Sequence, residues 1–121
     1  MLKIINDLPE DVLGVSAEGK VTGEDYKSIL IPAVEKKFQS NKKIKLLYHL
    51  GESFTGFDLN AMLDDAKIGM KHLSSWNKVA FVSDHHLINT FANFFGYLLP
   101  CELHVFPNAA FAEAEKWISE N

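Results

Sequence analysis

The side chains able to do chemistry gather in three short stretches: His49-Leu50-Gly51-Glu52-Ser53, Ser83-Asp84-His85-His86 and Phe106-Pro107-Asn108. Each follows an apolar run. In a parallel sheet all three would lie beyond the carboxyl ends of strands, where open α/β sheets hold their ligands. Imidazoles beside carboxylates suit zinc or another borderline divalent ion, and His49, Asp84 and His85 are the candidate ligands. Spacing argues against such a site. Adjacent helical residues point about 100° apart, so His85 and His86 make poor ligands to one ion, and no His-x3-His pair exists. The plainer reading makes Asp84 a helix cap and the histidines first-turn surface residues. A Ser53 nucleophile with His49 or His85 as base lacks the strained Gly-x-Ser-x-Gly turn such chemistry uses. Cys101 is the single cysteine. It allows no intramolecular disulfide and no thiolate zinc cluster, and it reads as a small buried apolar residue. His104 alternates with Leu103 and Val105, which suggests a structural histidine on the opposite face. No reaction signature emerges, so a protein without enzymatic activity or cofactor is expected.

Composition narrows the partners. The 121 residues are those of a single domain, 1–121, with 47% hydrophobic residues and a net charge of −4; disorder is excluded by that apolar content. All 12 basic residues are Lys, so the planar guanidinium clamp for phosphate or guanine is missing, and an acidic chain lacks the basic footprint of nucleic-acid binding. The local exception, Lys36, Lys37, Lys42, Lys43 and Lys45, reads as a solvated helix end. No uninterrupted apolar stretch is long enough for a transmembrane segment and no cleavage signal opens the chain, so a cytoplasmic protein is expected.

The elements that must position these residues follow from periodicity. Leu2 to Asn6 and Val12 to Glu18 read as strands joined by a hairpin, with Leu13, Val15 and Ala17 on one face. Thr22-Gly23-Glu24-Asp25 is a capping pattern opening a helix with Tyr26, Ile29, Leu30, Ala33, Val34 and Phe38 inward. Pro32 within it predicts a kink near Ser28 to Ile31. Ile44 to Leu50 reads as a strand buried on both faces, and Gly51 to Phe57 as a loop. Asp58 caps a helix with Leu59, Met62, Leu63, Ala66, Met70 and Leu73 on its stripe. Val79 to Val82 is a strand, Ser83 or Asp84 caps a third helix running toward Pro100, and Leu103 to Phe106 is the last strand. Pro107-Asn108 opens a final helix with Phe111, Ala114, Trp117 and Ile118 inward. The order β-β-α-β-α-β-α-β-α predicts an α/β fold with a mixed, mostly parallel five-stranded sheet, its first strand antiparallel at an edge. Right-handed crossovers added in one direction would leave the second sheet face bare. The kinked first helix, a partner chain or a ligand is expected to cover it.

From His85 to Cys101, 17 residues pass without Asp, Glu, Lys or Arg. Leu87, Phe91, Phe94 and Leu98 form one helical stripe, and Ile88, Ala92, Phe95 and Leu99 another. This apolar arc is wider than one sheet contact needs. Either a compact core buries this helix on all sides, or part of the arc leaves the protomer to meet a homodimer partner, another protein or a hydrophobic ligand, with Phe91, Phe94, Phe95, Tyr97 and Leu98 carrying the contact. A small apolar molecule would be lined by Tyr48, Phe54, Phe57, Phe91 and Tyr97.

Three segments, Lys78-Val79-Ala80-Phe81-Val82-Ser83-Asp84, Glu102-Leu103-His104-Val105-Phe106 and Ala114-Glu115-Lys116-Trp117-Ile118, resemble the SpoIIAA-like family, the STAS-type and CRAL-TRIO-type α/β superhelix, and the likeness extends over nearly the whole chain. The resemblance implies a protein-interaction or regulatory module of the STAS kind, or a carrier of apolar molecules of the CRAL-TRIO kind. STAS switches are phosphorylated on a Ser before the second helix, in an Asp-Ser-Ser-Gly type motif. The stretch here is Gly51-Glu52-Ser53-Phe54-Thr55-Gly56-Phe57-Asp58, so Ser53 or Thr55 would be the acceptor. The motif itself is not present, and Glu52 and Asp58 would repel a phosphate.

Overall fold

In the computed structural model the chain runs β1 (Leu2–Ile5), β2 (Val12–Ala17), β3 (Lys20–Val21), α1 (Gly23–Asp25), a π-helical turn (Tyr26–Leu30), α2 (Ile31–Ser40), β4 (Ile44–Leu50), β5 (Gly56–Phe57), β6 (Trp76–Val82), α3 (His86–Leu98), β7 (Glu102–Phe106) and α4 (Phe111–Ser119). The structure describes residues 1–61, 63, 67, 71, 75–98 and 101–120, with the backbone alone at 95 and 98. Residues 59–61, 63, 67 and 71 are helical. The main sheet has the order β1-β2-β4-β6-β7. β1 runs antiparallel to β2, and the remaining neighbours are parallel. This is the mixed, mostly parallel five-stranded α/β sheet that the strand and helix periods predict.

Local chemistry sets each turn of the chain. Thr22 and Asp25 form a reciprocal capping box: the Thr22 hydroxyl accepts from the Asp25 amide at 3.2 Å, and the Asp25 carboxylate accepts from the Thr22 amide at 2.9 Å. The kink expected before Pro32 takes the form of the π-helical turn. The Ile31 amide reaches back five residues to the Tyr26 carbonyl, which absorbs the amide that Pro32 lacks and the crowding of its ring. The stretch 51–57, expected as a loop, instead includes β5, paired in parallel with β3. The Gly19 amide donates to the Ser53 carbonyl, and the Gly19 carbonyl accepts from Thr55. Asp58 then caps two helices at once, its Oδ1 accepting from Ala61 at 2.7 Å and from Gly23 at 3.1 Å. Gly23 is required there, since a Cβ would stand 2.6 Å from the Asn60 Cβ.

The two sheet faces are covered by different means. On the first face Leu13, Val15, Ala17, Ile44, Tyr48 and Leu50 pack under Tyr26, Leu30 and Val34, and the Tyr26 and Tyr48 hydroxyls meet at 2.9 Å inside this layer. On the second face Val12, Leu47, Ala80 and Val82 pack against Ala114 and Ile118 of α4. The kinked first helix lies on the other face, and it is the C-terminal helix that packs here. α4 is not a crossover between two described strands, so the one-sided rule does not bind it, and it packs on the opposite face. Two lysines hold its end. The Lys45 side chain is buried, donates to the Glu120 carbonyl at 2.7 Å and pairs with Asp11 at 3.6 Å. Lys78 donates to the same carbonyl at 3.4 Å and lies 4.9 Å from the centre of the Trp117 ring. Both cations sit at the negative end of the α4 dipole.

The expected stripe after Asp58 is revised where the structure describes it. Ala61 is buried, whereas Leu59 and Leu63 face solvent, because Asp58 fixes the helical phase with Ala61 against the start of α1. Met62, Ala66, Met70 and Leu73 lie outside the described residues. The fourth strand begins earlier than expected, at Trp76, whose ring packs edge-on against Phe38 at 5.5 Å. The double cap generates a prediction. Asp58→Ala removes the acceptor from two part-buried amides and should destabilise the fold by about 1–3 kcal/mol. Asp58→Asn keeps a carbonyl oxygen and should lose less. Urea denaturation of both variants checks the order, and equal loss would contradict the shared acceptor.

Candidate functional site

The three polar strand exits meet at one end of the sheet. Gly51 and Glu52 after β4, Asp84 and His85 after β6, and Asn108 after β7 line an open cleft of about 300 Å³. Its place has a topological cause. The connection leaving β6 goes to the face that carries α3, and the one leaving β7 goes to the face that carries α4. Where neighbouring connections part to opposite faces, the strand ends leave a crevice.

Inside this cleft the side chains have structural work. The Asp84 carboxylate accepts the Asn108 amide at 2.9 Å, which holds the turn into α4. Asp84 is therefore not the cap of α3, which begins at His86. The buried Ser83 hydroxyl accepts the His85 amide at 2.9 Å, and the Ser83 carbonyl accepts the Asn89 side chain at 2.7 Å. His85 stands edge-on to Phe54 at 5.1 Å. His49 lies on the α4 side, where its Nδ1 meets the Ser16 hydroxyl at 3.1 Å and its ring packs on Phe111 at 4.9 Å. Ser16 and His49 are register partners in β2 and β4, so their contact follows from strand pairing. His49, Asp84 and His85 are thus engaged separately. Among the described residues no three His, Cys, Asp or Glu side chains come together as a metal site needs.

The expected apolar lining divides in the same way. Tyr48 and Phe54 are buried. Phe57 packs against them at ring distances of 6.3 and 4.9 Å, and Tyr48 meets Phe81 at 5.7 Å. These rings fill the first layer of the core, apart from Phe91 and Tyr97, which lie on the outside of α3. Ser53 and Thr55 are exposed at the surface, with their backbone tied to Gly19. Cys101 is half-buried; burial, and secondarily the Glu102 carboxylate, push its thiol pKa up, away from the reactive thiolate. His104 stacks on Trp117 at 4.4 Å.

The solvent side of α3 is the most unusual surface. Leu87, Phe91, Phe94 and Tyr97 are 70%, 58%, 60% and 91% exposed, and on the preceding helical segment Leu59 and Leu63 are 71% and 53% exposed. Ile88 packs into the core, and Gly96 lies over Leu103 of β7. The side chains of Phe95 and Leu98, also candidates, lie outside the described residues. Sequence reasoning missed Leu59 and Leu63 because a helical stripe alone does not say which side faces the sheet. It also left Lys45 in a solvated cluster. The signal that separates it was its place within an otherwise apolar strand.

Burial pushes the His49 pKa below its usual 6.5, against the smaller opposing pulls of the Asn108 side chain and the Glu18 carboxylate. The fold therefore favours the neutral ring. Above 6.5 both folded and unfolded chains hold it neutral. As pH falls below 6.5 the unfolded chain takes up the proton first, so stability is lost through that window. Wild type should lose more stability than His49→Gln between pH 7 and pH 5 in matched urea titrations. Parallel losses would show that His49 is not the group responsible.

No helix among the described residues is long and apolar enough to cross a membrane. No curated protein matches the chain. The crystal structure of an uncharacterised protein of the DUF3478 family with a SpoIIAA-like fold, from Shewanella loihica PV-4, is similar at a TM-score of 0.77 and 26% identity, covering 97% of this chain and 93% of that one. The sequence matches the SpoIIAA-like family over residues 12–119. With that match spanning most of the chain and the same sheet beneath it, the protein belongs to the SpoIIAA-like family.

Proposed function

We propose that this chain is a non-enzymatic interaction module that pairs with a second copy of itself through the solvent side of α3. The exposure of Leu87, Phe91 and Tyr97 on a helix without one charged residue carries this reading. Burying one such side chain is worth roughly 1.5–3 kcal/mol, so a surface presenting several is driven toward contact. Lack of charge favours a copy of the same chain. Across a two-fold axis a helix meets its own residues, and any charge near the axis would oppose its like. The separate engagement of His49, Asp84 and His85 supports a role without catalysis.

A second reading draws on Leu59 and Leu63. They add exposed apolar side chains on a second helical segment, which suits an apolar small molecule or lipid as ligand. Sedimentation velocity across a hundredfold concentration range separates the two. Wild type should form a dimer, and the double variant Phe91→Glu, Tyr97→Glu should remain a monomer with unchanged circular dichroism. A wild type that stays monomeric throughout overturns self-association. If that monomer also retains a fatty acid in native mass spectrometry or floats with neutral lipid vesicles, the second reading takes its place.

A further inference from the structure

The exposed side chains of α3 offer on the order of 500 Å², short of the roughly 800 Å² that each partner brings to a standard stable interface. A pair held by this helix needs adjoining surface. The outer edge of β7 lies next to it: Asn93, Gly96 and Tyr97 of α3 together with Leu103 of β7 line a groove of about 420 Å³ beside that edge. Resting on the self-association proposed above, we infer that two copies join at their β7 edges in antiparallel register, making one continuous sheet with the two α3 helices side by side over the seam.

The two edges of the sheet differ in the way this requires. Edge strands of monomeric proteins are guarded by lysines, prolines, bulges or covering segments. The β1 edge has such guards: Lys3 pairs with Glu18 at 3.4 Å, and the Met1 ammonium binds the Glu18 and Lys20 carbonyls at 2.8 and 2.7 Å. β7 has none. It contains no Lys, Pro or Gly, pairs with β6 without a bulge from Glu102 to Phe106, and is the outermost strand among the described residues.

Its backbone also suits a two-fold. The Phe106 carbonyl accepts from the Ser83 amide, on the β6 side. Strand groups alternate, so His104 and Glu102 likewise point toward β6, while Leu103 and Val105 present their N–H and C=O outward. A two-fold centred on His104 sets Leu103 opposite Val105 of the partner subunit, twice, and each such pair can exchange two hydrogen bonds. Glu102 then faces the partner's Phe106 rather than a carboxylate, so no fixed like charges oppose. His104 meets its own copy across the close, non-hydrogen-bonded position, where like charges are destabilising.

That central pair supplies the test. His104 is exposed, so His104→Glu and His104→Lys should fold. Each alone should dimerise at least tenfold more weakly than wild type, and an equimolar mixture should recover dimer as the Glu/Lys heterodimer. Val105→Pro removes one outward amide without touching the β6 ladder, since proline is tolerated at an edge, and should weaken the dimer similarly while the monomer stays folded by circular dichroism. If these variants dimerise like wild type while Phe91→Glu, Tyr97→Glu does not, self-association stands and the edge register is overturned. If wild type itself is monomeric throughout, the underlying reading fails first.

Discussion

A sheet built by one-sided crossovers has one face that no crossover can cover, and closing it is the constraint on which this fold depends. Three parallel strands added in succession after β2 commit their connections to one side. Leu47, Ala80 and Val82 on the other side would remain in water without α4. The chain meets the requirement with α4, which joins no two strands of the described sheet. The two lysines that hold the Glu120 carbonyl are cations placed where a helix end is negative. Lys45 loses its water to be there and is compensated by that carbonyl and by Asp11.

The same event shapes the polar end. Because α4 leaves β7 toward the second face while α3 leaves β6 toward the first, the exits part and the cleft opens between them. The residues around it are largely engaged in making the parting: Asp84 with the Asn108 amide, Ser83 with His85 and Asn89. Chemistry-bearing side chains collected at strand ends are thus used here to turn the chain.

Much of this was legible in the sequence. The alternation of Leu13, Val15 and Ala17, the capping box at Thr22, the disturbance before Pro32 and the cap at Asp58 are local signals, and local physics decided them. The residues that misled were those whose role is set by distant partners. Lys45 resembles its lysine neighbours until Glu120 arrives from the far end of the chain. Asp84 resembles a cap because both a cap and a turn anchor need a short carboxylate. Leu59 and Leu63 resemble core because periodicity gives a stripe without its direction. The charge-free span of α3 was visible from the start, whereas its outward side became definite only once Ile88 and Gly96 were seen against the sheet.

Among the described residues the aromatic side chains most exposed to solvent lie on α3, and β7 is the edge strand with the fewest guards. The most direct measurement is amide hydrogen exchange followed peptide by peptide at rising protein concentration. Peptides covering α3 and β7 should slow their exchange as concentration increases, while those of β2, β4 and α4 keep a constant rate. Exchange that is independent of concentration everywhere, or protection that grows on α4 instead, would contradict a module that works through its third helix.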